Sequence, residues 1–335
     1  MKKRAKKKNM DDKNLKRKKL RALIITSIFG VITAGLALFL IFSLQFKNLR
    51  NSILDKTEVS QEIFEVTYFY AGQGDAVLIR DVRPDGKVML IDSGPSAEVE
   101  EYILNTPGEN RAKTTIAPYL REKGIVKIDY LVGTHKHGDH IGGFPYIIDN
   151  FEVGAYYDNG TDQITSPFVE NLYEALDDNP QIDYKVARAG ATIPFGEGVT
   201  CQILGPLKLY ENTGSDENNS SIVLRFTVDE VSFLFAGDAE IVAELDLTSY
   251  GPGLNSTVMM APHHGSTSSS SRPFLDMVRP EVAVFSCGRN NPYGFPPFEI
   301  IRRYEDMGAE IYRTDLGGHI TAITDGMNYR ITTQR

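Results

Sequence analysis

Cysteine is scarce in this chain, which has only Cys201 and Cys287 among its 335 residues. Both lie in short apolar runs typical of strands, so we expect two buried thiols, with one disulfide between them as the alternative. The count excludes a disulfide-rich scaffold and a zinc site built from four cysteines. A metal site in this protein would therefore use nitrogen and oxygen ligands.

Positive charge is scarce beyond residue 50. Of the 36 Lys and Arg residues, fourteen lie in residues 1–50, and of the 44 Asp and Glu residues only two do. That leaves 22 cations and 42 anions, a formal charge of −20, for residues 51–335. This balance argues against a broad cationic surface for nucleic acid, although a local metal site could still bind phosphate.

The amino-terminal region has the opposite character. Residues 1–21 hold twelve Lys and Arg, and residues 22–46 hold no charged side chain at all. A helix over residues 22–46 would be about 37 Å long, enough to cross a hydrocarbon core of about 30 Å. The run exceeds the apolar core of a cleavable signal peptide and lacks a small-residue cleavage pattern. We predict a basic cytoplasmic segment (1–21), a transmembrane anchor (22–46) and an extracellular remainder.

The remainder divides into a polar stalk (47–62) and a domain (63–335) without an internal repeat or linker. Turn sequences such as Pro84-Asp85-Gly86 predict hairpins, and residues 114–123 and 239–247 have helical patterns. Strands with interspersed helices favour an α/β fold, in which helices cover sheets. Twelve runs predict strands: 64–70, 76–80, 88–92, 128–134, 200–204, 221–228, 231–236, 256–261, 282–286, 310–313, 320–324 and 329–333.

Histidine is also scarce, yet three of the six histidines lie within THKHGDHIGG, residues 134–143. The preceding run IDYLVGT predicts a buried strand, so these side chains lie on a loop at a strand end, where functional groups usually collect. His135 and His137 alternate and can bind one cation, while Asp139 and His140 can bind a second one. The motif therefore predicts a site for two metal ions.

Two further strand-like runs end in candidate ligands. His263 and His264 follow VMMAP, and Asp238 follows FLFAG. A carboxylate at Asp238 can bridge two ions, with a helix N-cap as the alternative role. The sixth histidine, His319, is predicted to be structural or exposed.

These motifs resemble those of the metallo-β-lactamase superfamily. HKHGDH is similar to its H-x-H-x-D-H signature, LIDSG (90–94) to its first motif, and FLFAGD (233–238) to its bridging-aspartate motif. FYAGQGDAVLI (69–79), ENNSSIVLRF (217–226), APHHGSTSSS (261–270) and SCGRNNPYG (286–294) resemble the ComEC-like branch. That branch includes the carboxyl-terminal domain of competence membrane proteins, and the phosphorylcholine esterases of teichoic acids are similar. The resemblance covers residues 64–334 and implies an αββα sandwich with metals at its strand ends.

The resemblance also implies roles for individual residues. Asp92 would orient a ligand from behind, Asn218 or Asn219 lies near the first site, and His263 is a proton donor or an alternative ligand to His264. Zn²⁺ suits these nitrogen and oxygen ligands, with Mn²⁺ as the alternative. The implied catalytic residues are Asp139, Asp238 and His263. The implied metal ligands are His135 and His137 for one ion, Asp139, His140 and His264 for the other, and Asp238 between them.

One position departs from the branch, whose members usually read Y-G-H-P where this chain reads Tyr293-Gly294-Phe295-Pro296. A phenyl ring neither binds metal nor donates a hydrogen bond to a phosphate oxygen. We infer an altered substrate pocket or slower chemistry of the leaving group, rather than an inactive site. Tyr293 or Ser266 could contact the substrate.

The expected function is a membrane-anchored extracellular hydrolase that uses two divalent metal ions to cleave a phosphoester, on a cell-wall polymer or a similar substrate. A nuclease related to DNA uptake is the first alternative. The second is a non-catalytic metal-containing module that binds a wall polymer.

Overall fold

The computed structural model describes Val59, residues 61–162 and residues 166–335 of the chain. The described part contains fifteen strands. They are β1 (Phe64–Tyr68), β2 (Val77–Asp81), β3 (Val88–Ile91), β4 (Lys127–Val132), β5 (Glu152–Asp158), β6 (Asp183–Val186), β7 (Thr192–Ile193), β8 (Val199–Gly205), β9 (Val223–Val228), β10 (Val231–Phe235), β11 (Val258–Met260), β12 (Val282–Phe285), β13 (Glu310–Arg313), β14 (Ile320–Thr324) and β15 (Tyr329–Thr333).

Each of the twelve runs predicted as strands overlaps one of these strands. The prediction missed β5, β6 and β7, for reasons that are local to each strand. Gly154 interrupts the apolar pattern of β5, all four residues of β6 are exposed, and β7 has only two residues. The predicted hairpin at Pro84-Asp85-Gly86 is confirmed, because it joins the antiparallel strands β2 and β3.

The strands form two sheets. The first has the order β15-β14-β1-β2-β3-β4-β5-β6, and the second has the order β13-β12-β11-β10-β9-β8-β7. In the first sheet β3 to β6 are parallel, and in the second sheet β10 to β13 are parallel. The remaining neighbours in both sheets are antiparallel.

Helices connect the strands. Over the predicted helix 114–123, a π-helical turn, Ala112–Ile116, leads directly into an α-helix, Ala117–Glu122. Two 3₁₀ segments are Thr248–Leu254 and Pro262–Gly265. The other α-helices are Ala97–Leu104, Gly138–Ile141, Phe144–Asn150, Pro167–Asp177, Asp216–Asn219, Ile241–Leu247, Arg272–Val278, Phe298–Glu305 and Thr314–Gly317.

Three apolar layers hold the elements together. Alternate residues of a strand point to opposite faces, so each sheet buries one face against the other sheet and one face against helices. The layer between the sheets includes Phe64 of β1 and Phe226 of β9, whose rings meet edge to face at 5.4 Å. Helices such as Phe144–Asn150 cover the first sheet, and Arg272–Val278 covers the second. The predicted αββα sandwich is confirmed.

Both cysteines lie within these layers. Cys201 and Cys287 are buried and are not bonded to each other. Burial raises the pKa of each thiol to about 12. The expectation of two buried thiols is confirmed, and the alternative of a disulfide is wrong.

The predicted basic segment, the predicted anchor and nearly all of the predicted stalk lie outside the described residues. Within the residues that the structure does describe, no helix has the length and apolar character needed to cross a membrane.

A buried carboxyl group makes the stability of the fold depend on pH. Glu244 has no exposed surface, and its oxygens accept the backbone N–H groups of Ser270 (2.6 Å) and Ser271 (2.7 Å). Burial raises the pKa of Glu244 to about 7. The folded protein holds this proton more tightly than the unfolded chain does, so protonated Glu244 contributes to the stability of the fold. This contribution is complete below about pH 4.5 and disappears as pH rises through about 7.

We therefore compare the free energy of unfolding of the wild type with that of Glu244→Gln between about pH 4.5 and 8. Over this range we expect the value for the wild type to fall further than that of the variant, by on the order of 2–3 kcal/mol. Thermal melting of both proteins across this range measures the difference. Glu299→Gln, at an exposed position, should follow the wild type. Parallel curves for the wild type and Glu244→Gln would contradict the expectation.

Candidate metal centre

Five loops meet at one edge of the sandwich, each following the carboxyl end of a parallel strand. Asp92 follows β3, His135 follows β4, Asp238 follows β10, His264 follows β11 and Ser286 follows β12. Binding sites in sheets of this kind usually lie at the carboxyl ends of the parallel strands. The topology therefore brings together residues that lie up to about two hundred positions apart.

The first group of candidate ligands contains His135, His137 and Asp238. The Nε2 atom of His135 lies 3.0 Å from Nδ1 of His137 and 3.9 Å from Oδ2 of Asp238. His135 is fully buried, whereas His137 is partly exposed. These three atoms surround a position that one cation can occupy.

The second group contains Asp139, His140 and His264. The Nε2 atom of His264 lies 3.4 Å from Oδ2 of Asp139, and Nε2 of His140 lies 3.9 Å from the same oxygen. The Asp238 carboxylate also reaches this group, because its Oδ1 lies 3.3 Å from Nε2 of His140. Asp238 therefore stands between the two groups, the place that the sequence prediction gave it.

Asp92 orients His140 from behind. Its Oδ2 lies 2.9 Å from Nδ1 of His140 and accepts the Thr134 hydroxyl at 2.8 Å, while its Oδ1 accepts the Thr134 backbone N–H at 2.8 Å. A ring whose Nδ1–H is donated to a carboxylate presents an unprotonated Nε2 to the opposite side. Asp92 thus holds His140 in the orientation that a metal ligand needs.

Asp75 performs the equivalent task for His264, and sequence reasoning assigned it no role. Nδ1 of His264 lies 3.1 Å from Oδ1 of Asp75 and 3.1 Å from the Ser286 carbonyl. Asp75 is buried and lies 189 positions away in the chain. One signal for it is present in the sequence, because GQGD directly precedes β2 and places a carboxylate at a strand end.

Three buried atoms of the centre have no hydrogen-bond partner, and they indicate whether metal ions fit there. Nε2 of His140, Nε2 of His264 and Oδ1 of Asp238 are buried and make no hydrogen bond, although both rings have partners at Nδ1. A buried polar atom without a partner costs free energy, and a cation removes that cost at all three atoms. Imidazole and carboxylate donors suit Zn²⁺ and also Mn²⁺. The residues fit a pair of divalent cations.

Three residues at the same edge have a strained backbone. Asp92, His263 and His264 have φ values of 56°, 53° and 55°, in the left-handed region that residues other than glycine rarely adopt. Such conformations cost of order 1–3 kcal/mol each and persist where the surroundings hold them. Two hydrogen bonds brace the turn at His263, from its N–H to the Gly237 carbonyl (3.0 Å) and from the Ser266 N–H to its own carbonyl (2.8 Å).

Two carboxyl groups of the centre, those of Asp139 and Asp238, have pKa values below the usual range. Burial alone would raise the pKa of Asp238, but the positive charges of His140, His264 and His263 outweigh burial and hold that pKa well below its usual range. The pKa of Asp139 is likewise lowered, because His140 and His264 outweigh the effect of burial. Both carboxylates therefore keep the negative charge that binds a cation.

The histidines divide into two kinds. Burial acts to lower the pKa of His140 and His264, yet nearby carboxylates raise both above the usual range, Asp238 foremost for His140 and Asp75 foremost for His264. At His135 burial prevails and lowers the pKa well below its usual range. Metal binding releases protons from histidine ligands. A bound cation would therefore replace the positive charge that protonated His140 and His264 otherwise place beside the carboxylates.

His263 occupies the open side of the centre. Its side chain is 20% exposed, with Nε2 lying 3.6 Å from Oδ2 of Asp238 and Nδ1 lying 3.1 Å from the Ser268 hydroxyl. His264, by contrast, is buried in the second group. The two adjacent histidines therefore point to different places, one toward the buried ligands and one toward the entrance.

The remaining predicted residues have supporting roles. Asn219 accepts the backbone N–H of Ala243 (3.1 Å), and so it caps the helix Ile241–Leu247 that follows Asp238. The N-cap residue of that helix is Glu240, so the alternative that Asp238 is the cap is wrong. His319 is structural as predicted, because its Nδ1 accepts the Tyr70 backbone N–H (2.9 Å).

Comparison with known proteins agrees with this architecture. The family described as Metallo-beta-lactamase superfamily matches residues 69–289. Competence protein ComA of Neisseria gonorrhoeae is 32% identical over 76% of this chain and 31% of its own length, and ComE operon protein 3 of Bacillus subtilis is 27% identical over 76% and 32%. The chain thus spans about a third of the length of these relatives.

Among solved structures, Igni18, a metallo hydrolase of Ignicoccus hospitalis, aligns with a TM-score of 0.49 and 20% identity, covering 77% of this chain and 98% of the other. The family match extends over most of the described domain and includes every candidate ligand. The predicted resemblance to the ComEC-like branch is confirmed by the competence relatives. The chain belongs to the metallo-β-lactamase superfamily.

Proposed function

We propose that the chain is a hydrolase of phosphoesters that uses two divalent metal ions, Zn²⁺ in preference to Mn²⁺. The observation that carries the proposal is the position of Asp238. Its Oδ2 lies near His135 of the first group, its Oδ1 lies near His140 of the second, and the unpartnered Nε2 atoms of His140 and His264 point at it. A shared carboxylate between two histidine groups is typical of binuclear hydrolytic centres.

When bound, two such ions supply Lewis acidity toward a phosphoryl oxygen and lower the pKa of water. The chain contributes orientation and proton handling. Asp92 and Asp75 hold the rings of His140 and His264, as described above. His263 faces the entrance with Nε2 near Asp238 and Nδ1 near Ser268, so it can hold a proton at Nε2 and pass it to a departing alkoxide.

The predicted anchor at 22–46 and the basic segment before it support a location at the outer face of the cell membrane, where a cell-wall polymer is the accessible phosphoester. The acidic balance of residues 51–335 supports the same choice over a nucleic acid. A nuclease related to DNA uptake is the second candidate, and the names of the competence relatives favour it.

The test uses the full chain, purified and loaded with Zn²⁺ or Mn²⁺. We expect two metal ions per chain by mass spectrometry, and turnover of bis-(p-nitrophenyl) phosphate that a chelator reduces by at least about a hundredfold and added metal restores. The relative rates on p-nitrophenyl phosphorylcholine and single-stranded DNA would distinguish the wall enzyme from the nuclease.

Two results would overturn the proposal. Turnover that persists after complete removal of metal would exclude a metal-dependent mechanism. Two bound ions without turnover of any of the three substrates would favour a binding module, and would make the replacement of histidine by Phe295 its explanation.

A further inference from the structure

Two aromatic side chains form a wall beside the entrance to the metal centre. The rings of Tyr293 and Phe295 stack with centroids 5.5 Å apart and an angle of 21° between their planes. Tyr293 is 54% exposed, and Phe295 is partly buried. An exposed aromatic face next to a site of polar ligands is a common feature of binding pockets.

The loop that carries the wall is braced. The Asn291 side chain donates to the carbonyls of Gly288 (3.0 Å) and Phe295 (2.7 Å) and accepts the Phe295 N–H (3.0 Å). Gly288 in turn donates its N–H to the side chain of Gln73 (2.9 Å), which lies two residues before Asp75. The wall is therefore held in place before any ligand arrives, which lowers the entropy lost on binding.

The wall adjoins the open side of the centre. The ring of Phe295 meets that of His263 at 6.0 Å and 71° on one side and stacks on Tyr293 on the other, so the three rings form one continuous series that begins at the centre. Burial raises the pKa of the Tyr293 phenol and the charge of Asp139 raises it further, which agrees with a phenol on the side of the centre. A substrate held at the metal ions would have its neighbouring group against this wall.

The shape of the wall distinguishes between ligands. A cage for a quaternary ammonium ion surrounds the cation with ring faces set at steep angles. Here two nearly parallel rings leave one flat outer face, on Tyr293, where a further flat ring can continue the stack. Stacking of this kind tolerates many aromatic rings, because each has a π-face.

We propose that Tyr293 and Phe295 form a stacking subsite for a flat aromatic ring carried by the substrate, next to the phosphoryl group that lies at the metal centre. This inference rests on the phosphoester hydrolase proposed above. Of the two candidate substrates, a nucleic acid carries flat aromatic rings beside its phosphoryl groups, so a confirmed subsite would favour the nuclease over the wall enzyme. The subsite gives a role to Phe295, the residue that departs from the pattern of the resembled branch: its phenyl ring supports Tyr293 as a platform.

The test measures binding, so that it stands apart from turnover. The metal-loaded full chain is titrated calorimetrically with phenylphosphonate, with cyclohexylphosphonate, which has a ring of six carbons that is not flat, and with 2-(trimethylammonio)ethylphosphonate. We expect the wild type to bind phenylphosphonate at least about fivefold more tightly than cyclohexylphosphonate. Tyr293→Ala should bring this ratio close to one, and Tyr293→Phe should retain it.

Met327→Ala is the control. Met327 is also an exposed apolar residue, but it lies in the β14–β15 turn. That turn is away from the metal edge, because Thr324 at the end of β14 pairs with Phe64 at the start of β1. The variant should leave the ratio unchanged. A wild type without the preference, or a Tyr293→Ala variant that keeps it, would overturn the subsite. A third result would also overturn it: the trimethylammonio compound binds most tightly of the three, and Tyr293→Ala abolishes that binding. Such a result would assign the wall to a cation.

The two proposals fail separately. Turnover of bis-(p-nitrophenyl) phosphate without the phenyl preference would overturn the subsite and leave the hydrolase intact. The phenyl preference without turnover of any phosphoester would overturn the hydrolase and leave a ring-binding subsite beside a metal centre.

Discussion

Replacing Asp238 with alanine is expected to reduce turnover of bis-(p-nitrophenyl) phosphate by at least about a thousandfold. The carboxylate lies within 3.9 Å of ring nitrogens of His135, His140, His263 and His264, so both ligand groups lose an oxygen with one substitution. The bound metal should fall from two ions per chain to one or fewer. Metal analysis by mass spectrometry and steady-state kinetics on the full chain measure the two effects.

The matched control is Asp276→Ala. Asp276 is a half-buried aspartate whose carboxylate pairs with Arg272 at 2.9 Å on the surface of a helix. Such surface pairs contribute at most about 1 kcal/mol, so this variant should keep both ions and full turnover. Wild-type turnover in Asp238→Ala, with both ions still bound, would show that the reaction does not pass through this centre.

Replacing Gly74 with alanine is expected to destabilise the fold by roughly 2–3 kcal/mol and to weaken the second ligand group. A β-carbon at this position would lie 2.2 Å from the carbonyl oxygen of Asp139 and 2.9 Å from Cδ of Pro95. The carbonyl belongs to the backbone, so relieving the clash shifts the backbone of residue 74 or of Asp139, whose carboxylate lies 3.4 Å from Nε2 of His264. Chemical denaturation and metal titration of the variant would show the two effects together.

Gly253→Ala provides the comparison, because a β-carbon there meets only Cβ of Tyr250 at 3.9 Å. This variant should change the free energy of unfolding by no more than about 0.5 kcal/mol and should leave metal affinity unchanged. If Gly74→Ala behaved like Gly253→Ala, the close approach of residue 74 to the Asp139 backbone would not limit the geometry of the centre.

Much of the fold could be predicted because its signals are local. Alternating or continuous apolar runs marked twelve strands, and the missed strands β5, β6 and β7 are those whose local pattern is broken, exposed or too short. The candidate ligands His135, His137, Asp139 and His140 share one short motif, so their proximity also follows from local sequence.

Other features of the centre depend on distant parts of the chain. Asp75 was assigned no role because nothing near it in the sequence indicates its partner, His264, which lies 189 residues away. Asn219 was expected near the metal ligands, and only the structure shows its partner: it caps the helix Ile241–Leu247, which begins three residues after Asp238. Which of the adjacent histidines is buried also depends on a turn with two left-handed residues, which local pattern does not predict.

The sequence by itself determined the class of fold, the family and the set of residues able to bind metal, because strand periodicity and the H-x-H-x-D-H spacing are properties of short segments. The tertiary structure decided how those residues are used. It placed Asp238 between the two groups, gave His140 and His264 their carboxylate partners and set Phe295 against Tyr293 beside the entrance. These relations depend on which strand ends meet at one edge of two packed sheets, and long-range packing alone brings those ends together.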